Sequence, residues 1–355
     1  MSDQPRPERH LASHIFNLAV MVVGGFALWW MARSFGWEQF ADVVNEVGWW
    51  SAVILALDLL ALCFDAAALH AFMRPEARMV SYFRVLGAQA SGRAINVLTP
   101  GGALGEATKL TMLVTHAPRD RVLSSIVLLN LSQIYLSVIV MVIGTPIMFL
   151  LVDLSHVLKV TIGIGFALII PAMVALAVVI HRGPLGTLVG GARITRLIST
   201  DRAEKWRVRL TEIDRHIREL QTNRSAGTWK GILWVIASKL VTWTSTILLV
   251  HTAGVAVSAP LVVGMLSVGV LIGWISSIIP MGLGLADGGN YALFDLLGAS
   301  GAHGVVVTNL NRARSLTVAI LGLVVMALMH AINRLALARM HRKLRALRER
   351  SAAAT

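Results

Sequence analysis

This sequence predicts an all-α polytopic membrane protein, with about six full transmembrane helices and two re-entrant helical hairpins in an inverted-repeat arrangement. Three observations predict it. Of 355 residues, 56% are hydrophobic and 14% charged, with a mean hydropathy of +0.70, whereas soluble domains carry about 25% charged residues. Several apolar runs reach the roughly 20 residues that a helix needs to cross the hydrocarbon layer. Finally, Thr99–Glu106 and Pro280–Asp287 each place a Pro/Gly loop closed by a carboxylate inside an apolar neighbourhood. Bare loop backbone in hydrocarbon costs several kcal/mol per unpaired group. Paired interruptions in two halves of a membrane protein therefore point to a polar site at a repeat interface.

In chain order, a tail (1–14) precedes an N-terminal membrane half (15–181), a basic linker (182–228), a C-terminal membrane half (229–332) and a basic tail (333–355). Full spans are predicted at about 15–35, 49–73, 121–150, 157–181, 229–253 and 303–332. No small-residue cleavage site follows Ile15–Met31, so that run reads as a retained span rather than a signal peptide. Cys63 is the single cysteine, which excludes an intramolecular disulfide and a multi-cysteine metal site.

The net charge of +13 falls between the spans rather than on one folded domain. It fits the positive-inside rule and excludes a nucleic-acid-binding domain. Arg6 and Arg9, the group Arg74 to Arg121, the linker arginines and the tail arginines would all be cytoplasmic, whereas 36–48 is acidic and 251–260 uncharged. Both termini are thus expected inside a plasma or inner membrane. Segment 80–117 must then begin and end inside, and 260–298 outside. Their second arms, about 106–117 and 288–298, are too short for a full crossing. Each is expected to turn back as a hairpin, the two opening to opposite faces.

In the linker, Trp206, Leu210, Ile213, Ile217 and Leu220 form one apolar stripe on an otherwise charged helix. It reads equally as an interfacial helix on anionic lipid or as a connector packed on the bundle. Met340, Leu344 and Leu347 mark a weaker tail helix. Gly24, Gly25, Gly144, Gly163 and Gly165 read as close packing, and small-residue surfaces on the first and fourth spans would permit a homodimer.

Ionisable side chains within a span cost about 2.5–3.5 kcal/mol each on insertion scales, so they mark candidate sites. The candidate substrate-binding set is Arg93, Asn96, Glu106, Lys109, Lys239, Asp287 and Arg312. The hairpin loops are built on Pro100, Gly101, Gly102 and Gly105, and on Pro280, Gly282 and Gly284. Arginine offers bidentate hydrogen bonds to phosphate, and the freed N–H groups of half-helix starts add partial positive charge. Glu106 and Asp287 would pair with the cations of an empty site, or take up protons. Glu106 reads equally as a cap of its own half-helix, and Lys109 as its partner three residues on. Asp58 and Asp65, seven apart on one helical face, are candidates for a proton relay or for interhelical glue. Asp295 and Arg314 read as structural, with Arg314 at the outer interface.

The run Arg93-Ala-Ile-Asn96-Val-Leu-Thr-Pro100-Gly-Gly-Ala-Leu-Gly105-Glu106, with Pro280-Met-Gly-Leu-Gly-Leu-Ala-Asp287, resembles the paired signatures of the lysylphosphatidylglycerol synthase transmembrane-domain (flippase-like) family. In its bifunctional members this domain flips an aminoacylated phospholipid made by an attached soluble synthase; others stand alone. With about twenty residues after the last span, a stand-alone member is expected. Ala103, Leu104, Met281 and Asp287 depart from the family pattern, which bears on head-group identity more than on fold.

No nucleophile elbow, P-loop or His/Cys metal spacing occurs, and His70, His116, His181 and His251 fall at span or hairpin ends. Neither cofactor nor metal is expected. The leading expectation is a non-enzymatic, ATP-independent transporter of a polar-headed, phosphate-bearing lipid. Two rivals are a membrane enzyme acting on lipid or polyprenyl head groups, with Glu106 and Asp287 as its acid/base pair, and a scaffold recruiting a separate synthase through 182–228.

Overall fold

The computed structural model describes residues 47–74, 76–99, 103–152, 226–277, 279 and 282–352, with isolated helical positions at 19–33 and 160–171. Among the described residues every regular element is a helix: α1 (Trp50–Phe72), a 3₁₀ turn (Glu76–Met79), α2 (Tyr82–Leu98), α3 (Ala103–Leu113), α4 (Arg119–Leu151), α5 (Ala226–Thr252), α6 (Ala259–Ser276), α7 (Leu285–Leu296) and α8 (Gly301–Ala352). The expected spans 49–73, 121–150, 229–253 and 303–332 correspond to α1, α4, α5 and the first part of α8. Most of 15–35 and 157–181, the linker stripe Trp206–Leu220, and Pro100, Gly101, Gly102 and Pro280 lie outside the described residues.

The helix boundaries have local causes. Thr99 takes extended backbone (φ −120°, ψ 135°) and ends α2, as a residue before proline is pushed to do. Ser258 caps α6 by accepting a hydrogen bond from the Leu261 N–H at 3.4 Å, with a proline in the first turn. At the start of α7, Gly282 and Gly284 have φ of +63° and +80°, which glycine adopts without steric penalty. The Asp287 carboxylate reaches back to accept from the Gly284 N–H at 2.9 Å.

Among the described residues, five helices are long and apolar enough to cross a membrane: α1, α4, α5, α6 and the Gly301–Ile332 part of α8. The sequence reading treats α6 only as a hairpin arm, yet its 18 residues at hydropathy 2.0 are long enough to span. The return of α7 makes it a hairpin. Two apolar clusters show this. One gathers Phe72 and Met73 of the α1 end, Val85 of the α2 start, Leu113 of the α3 end, Val122 of the α4 start and Val235 of α5. The other gathers Ile54 near the α1 start, Met148 of the α4 end, Leu249 of the α5 end, Leu261 of the α6 start, Phe294 of the α7 end and Val307 near the α8 start. Hairpin α2–α3 therefore leaves from and returns to one end of the bundle, and hairpin α6–α7 does the same at the other.

Packing repeats this inverted relation. The helices that precede the two hairpins, α1 and α5, lie together, while α2 packs on α8 and α6 packs on α4. Each hairpin thus rests on the helix that follows the other hairpin. Arg74, Arg78, Arg84, Arg119 and Arg121 all fall at the end to which α2–α3 opens.

Close crossings depend on glycine. A Cβ at Gly322 of α8 would lie 2.5 Å from the Ala90 carbonyl oxygen of α2, and one at Gly105 of α3 would lie 2.1 Å from the Gly92 carbonyl oxygen. Gly24 and Gly144 also sit in tight contacts, but Gly25 and Gly163 face open space, against the close packing expected of them. Gly105→Ala should separate α2 from α3 at a cost of about 1–3 kcal/mol. Thermal unfolding in detergent would register this as a lower midpoint, and an unchanged midpoint would show that the crossing relaxes freely.

Candidate functional site

Four helices contribute polar stripes at helical spacing. On α2, Gln89, Arg93 and Asn96 follow one another at intervals of four and three residues; on α4, Asn130, Gln133 and Ser137 do so at three and four. On α5 the stripe is Ser238, Lys239, Thr242 and Thr246, and on α8 it is Thr308, Asn311, Arg312 and Ser315. Such spacing puts each set on one face, and these faces converge on two adjoining cavities.

The smaller cavity, of about 260 Å³, is lined by groups including Asp65, Gln89, Arg93, Asn96, Glu106, Lys109, Gln133 and Lys239. The larger, of about 470 Å³, lies between the two hairpins: Asn96 and Thr99 come from the first, Gly282, Ala286 and Asn290 from the second, and Arg312 from α8. Asn96, Lys239 and Thr242 line both. Apolar groups such as Trp243, Leu266, Val270 and Leu316 complete the larger wall.

The charges are arranged in pairs. Arg312, 8% exposed at its side chain, holds Asp287 through two hydrogen bonds of 2.8 and 2.7 Å, and donates to the Asn309 side-chain oxygen at 3.0 Å. Lys109 donates to Glu106 Oε1 at 2.9 Å, and Asn96 Nδ2 donates to the same oxygen at 2.9 Å. The Lys109 stem reaches Glu106 by crossing over Gly92, where a Cβ would collide with it at 2.4 Å. Asp65 accepts from Gln133 Nε2 at 2.8 Å, with Arg93 3.6 Å away. Asp58 pairs with Arg314 through both carboxylate oxygens and accepts from Ser245 Oγ at 3.1 Å. Lys239 stands apart: its ammonium donates to a neutral group, Ser137 Oγ, at 2.9 Å. Asp58, Asp65, Glu106 and Asp287 against Arg93, Lys109, Lys239, Arg312 and Arg314 leave one positive charge in excess, and Lys239 carries it.

The structure thus brings Arg93, Asn96, Glu106, Lys109 and Lys239 around one cavity, and Asn96, Lys239 and Arg312 around the other. Asp287 joins through Arg312. Asp58 and Asp65 share a face of α1 but serve different neighbours: Asp65 lines the smaller cavity, while Asp58 is tied to α5 and α8. Arg314 does not face the outer interface. Its side chain is 11% exposed and locked to Asp58, because two residues along α8 turn it away from Arg312 toward α1. Gln89, Asn130 and Gln133 line the smaller cavity without having been singled out from sequence; their spacing from Arg93 and Ser137 was the available signal. Asn290, whose Nδ2 donates to Thr308 Oγ1 at 2.8 Å, was missed in the same way.

Neither a curated protein nor a solved structure matches the chain. The family described as the lysylphosphatidylglycerol synthase TM region matches it over residues 16–322, which include both hairpins and every site residue above. A multi-pass helical bundle with two oppositely opening hairpins, matched across nearly its whole membrane region, places this chain in the lysylphosphatidylglycerol synthase TM-region family.

Proposed function

We propose that this protein moves a polar-headed, phosphate-bearing lipid across the inner membrane without ATP. One observation carries the reading: a small polar cavity and a larger, mainly apolar one adjoin inside a membrane-spanning bundle, the larger lying between hairpins that open to opposite ends, with the Lys239 ammonium in their shared wall. A cavity bounded in this way can be uncovered toward either leaflet by displacing one hairpin, which is the geometry that alternating access requires. A phosphate in the shared wall would meet the Lys239 ammonium and, nearby, Arg93 and Arg312, which offer the donors that phosphate accepts best. Membership of a family associated with membrane lipids supports the same reading.

Glu106 and Asp287 then have a double role. Each neutralises a cation while the site is empty, and each is released when phosphate takes over that cation. Protonation of the released carboxylate would couple lipid movement to a proton gradient. The basic end of the bundle would face the cytoplasm and its anionic lipid.

Transbilayer movement of labelled lipids in liposomes containing the purified protein tests this. Wild type should move phosphate-bearing lipid, and Glu106→Gln and Asp287→Asn should slow movement while the protein stays folded. Their rates should also lose dependence on an imposed pH gradient. Absence of movement for every lipid with folded protein would reject the reading and favour a scaffold or an enzyme.

A further inference from the structure

The turn that joins α1 to the first hairpin holds two apolar side chains outward. Two hydrogen bonds fasten it to α1: His70 Nε2 bonds to the Val80 carbonyl oxygen at 3.1 Å, and the Tyr82 hydroxyl donates to the Cys63 carbonyl oxygen at 2.9 Å. Met73 and Val80 are buried on either side of the turn. Met79 and Phe83 nonetheless stand 70% and 78% exposed, and among the described residues only Leu150 is a large apolar side chain more exposed than Phe83. Exposed apolar groups rimmed by charge mark a surface that meets a partner or a membrane.

Cations supply the rim. Arg74 and Arg78 are exposed and Arg84 is half-buried. The start of α5 adds Lys230, also exposed, and it lies close by: a Cβ at Gly227 would be 3.1 Å from the Ala71 carbonyl oxygen and 3.5 Å from the Arg74 stem. Within residues 70–84 and 226–230 the one carboxylate is Glu76, so these four cations leave a net charge of +3.

Height in the bundle decides what meets this patch. The 23 residues of α1 make about 35 Å of helix, against a hydrocarbon layer of ~30 Å. Stacked Trp49 and Trp50 mark the boundary at its start, so the turn after Phe72 falls in the head-group layer on the other side. Arginine there reaches lipid phosphates, while a neighbouring Met or Phe enters the acyl region below. A second copy meeting the patch about a two-fold axis would set like charge against like.

We infer that this turn is a docking surface for anionic phospholipid of the leaflet to which the first hairpin opens. Met79 and Phe83 enter the acyl boundary, and Arg74, Arg78, Arg84 and Lys230 hold phosphates. Because α2 begins at Tyr82, within the fastened turn, the docked lipid braces the base of the first hairpin. None of these residues lines either cavity, so the surface holds lipid whether or not the protein moves any.

Ser81 gives a local readout. It is exposed and its side chain makes no capping hydrogen bond, so Ser81→Cys in a Cys63→Ala background can carry a fluorophore on the full-length protein in nanodiscs. Quenching by dilute spin-labelled phosphatidylglycerol is compared with quenching by spin-labelled phosphatidylcholine. With the turn otherwise unchanged, phosphatidylglycerol should quench at least about fivefold more effectively, the worth of one basic residue near an anionic surface. Arg78→Gln together with Arg84→Gln should bring the two lipids to parity without altering quenching by phosphatidylcholine. Phe83→Ser should weaken quenching by both. Equal quenching before any arginine is changed would overturn the anionic preference. Absence of quenching by either lipid would overturn the surface altogether, because the patch would then be covered by protein. Should the arginine variant fail to fold, molar salt on the unaltered arginines takes its place: it should abolish the preference, and a preference that persists in salt, or in the folded variant, overturns the proposal.

Discussion

Asp58→Ala should be the most damaging single substitution in the membrane core, destabilising the protein by about 3–5 kcal/mol. Asp58 is 3% exposed and is held by Arg314 from α8 and by Ser245 from α5. Removing the carboxylate strands a guanidinium whose side chain is only 11% exposed. The cost comes from the orphaned charge rather than from a strong pair, because a buried ion pair gains little over an apolar pair of similar volume. Asp58→Ala combined with Arg314→Leu should therefore recover most of the loss. A double-mutant cycle by denaturant titration in detergent would show a large positive coupling. If Asp58→Ala alone were as stable as wild type, the Asp58–Arg314 pair would not be what joins α1 to α8.

For Lys239→Met the expectation is reversed: the fold survives and lipid movement falls by about 10–100-fold, the usual worth of one hydrogen bond to a charged group. Lys239 gives up one hydrogen bond, to Ser137, and the attraction of Asp65, which keeps Gln133 and Arg93 as partners, and methionine fills a similar volume without a buried charge. Lys239→Arg should retain much of the activity, since it keeps the cation and adds donors. Movement of phosphate-bearing lipid at the wild-type rate by Lys239→Met would remove Lys239 from the site and, with it, the explanation of the excess charge.

Much of this architecture could be read directly from the chain. Length and hydropathy located α1, α4, α5 and α8, and Pro280-Met-Gly-Leu-Gly pointed to a loop whose Gly282 and Gly284 do take left-handed backbone. The asymmetry of arginines between the loops implied hairpins opening to opposite ends, which the two terminal apolar clusters display. Pairing was harder to read. Glu106 and Lys109 are neighbours on one helix turn, so their bond is local and legible. Asp287 finds Arg312 only because α7 packs along α8, and Asp58 finds Arg314 across most of the chain; no spacing rule encodes either. The neutral amides Gln89 and Gln133 escaped for another reason. Insertion cost draws attention to charge, whereas an amide enters a span at lower cost and shows itself only by sharing a face with Arg93 or Ser137.

Arg312 and Arg314 are two residues apart, so their side chains leave α8 about 200° apart around its axis. One fastens α7 through Asp287 and the other fastens α1 through Asp58. Rolling α8 about its own axis would break both fastenings at once, so this helix is keyed against rotation and bolted to the second hairpin. Its contact with α2 is of another kind, a close crossing at Ala90, Ala94 and Gly322 with Met329 seated on Gly87 and Leu316 on Leu98, and among the described residues no ion pair bridges it. Such a crossing is held by van der Waals packing rather than by charge. Two halves of like design are thus unequally fastened: an ion pair ties the second hairpin to α8, whereas the first meets that helix by packing alone.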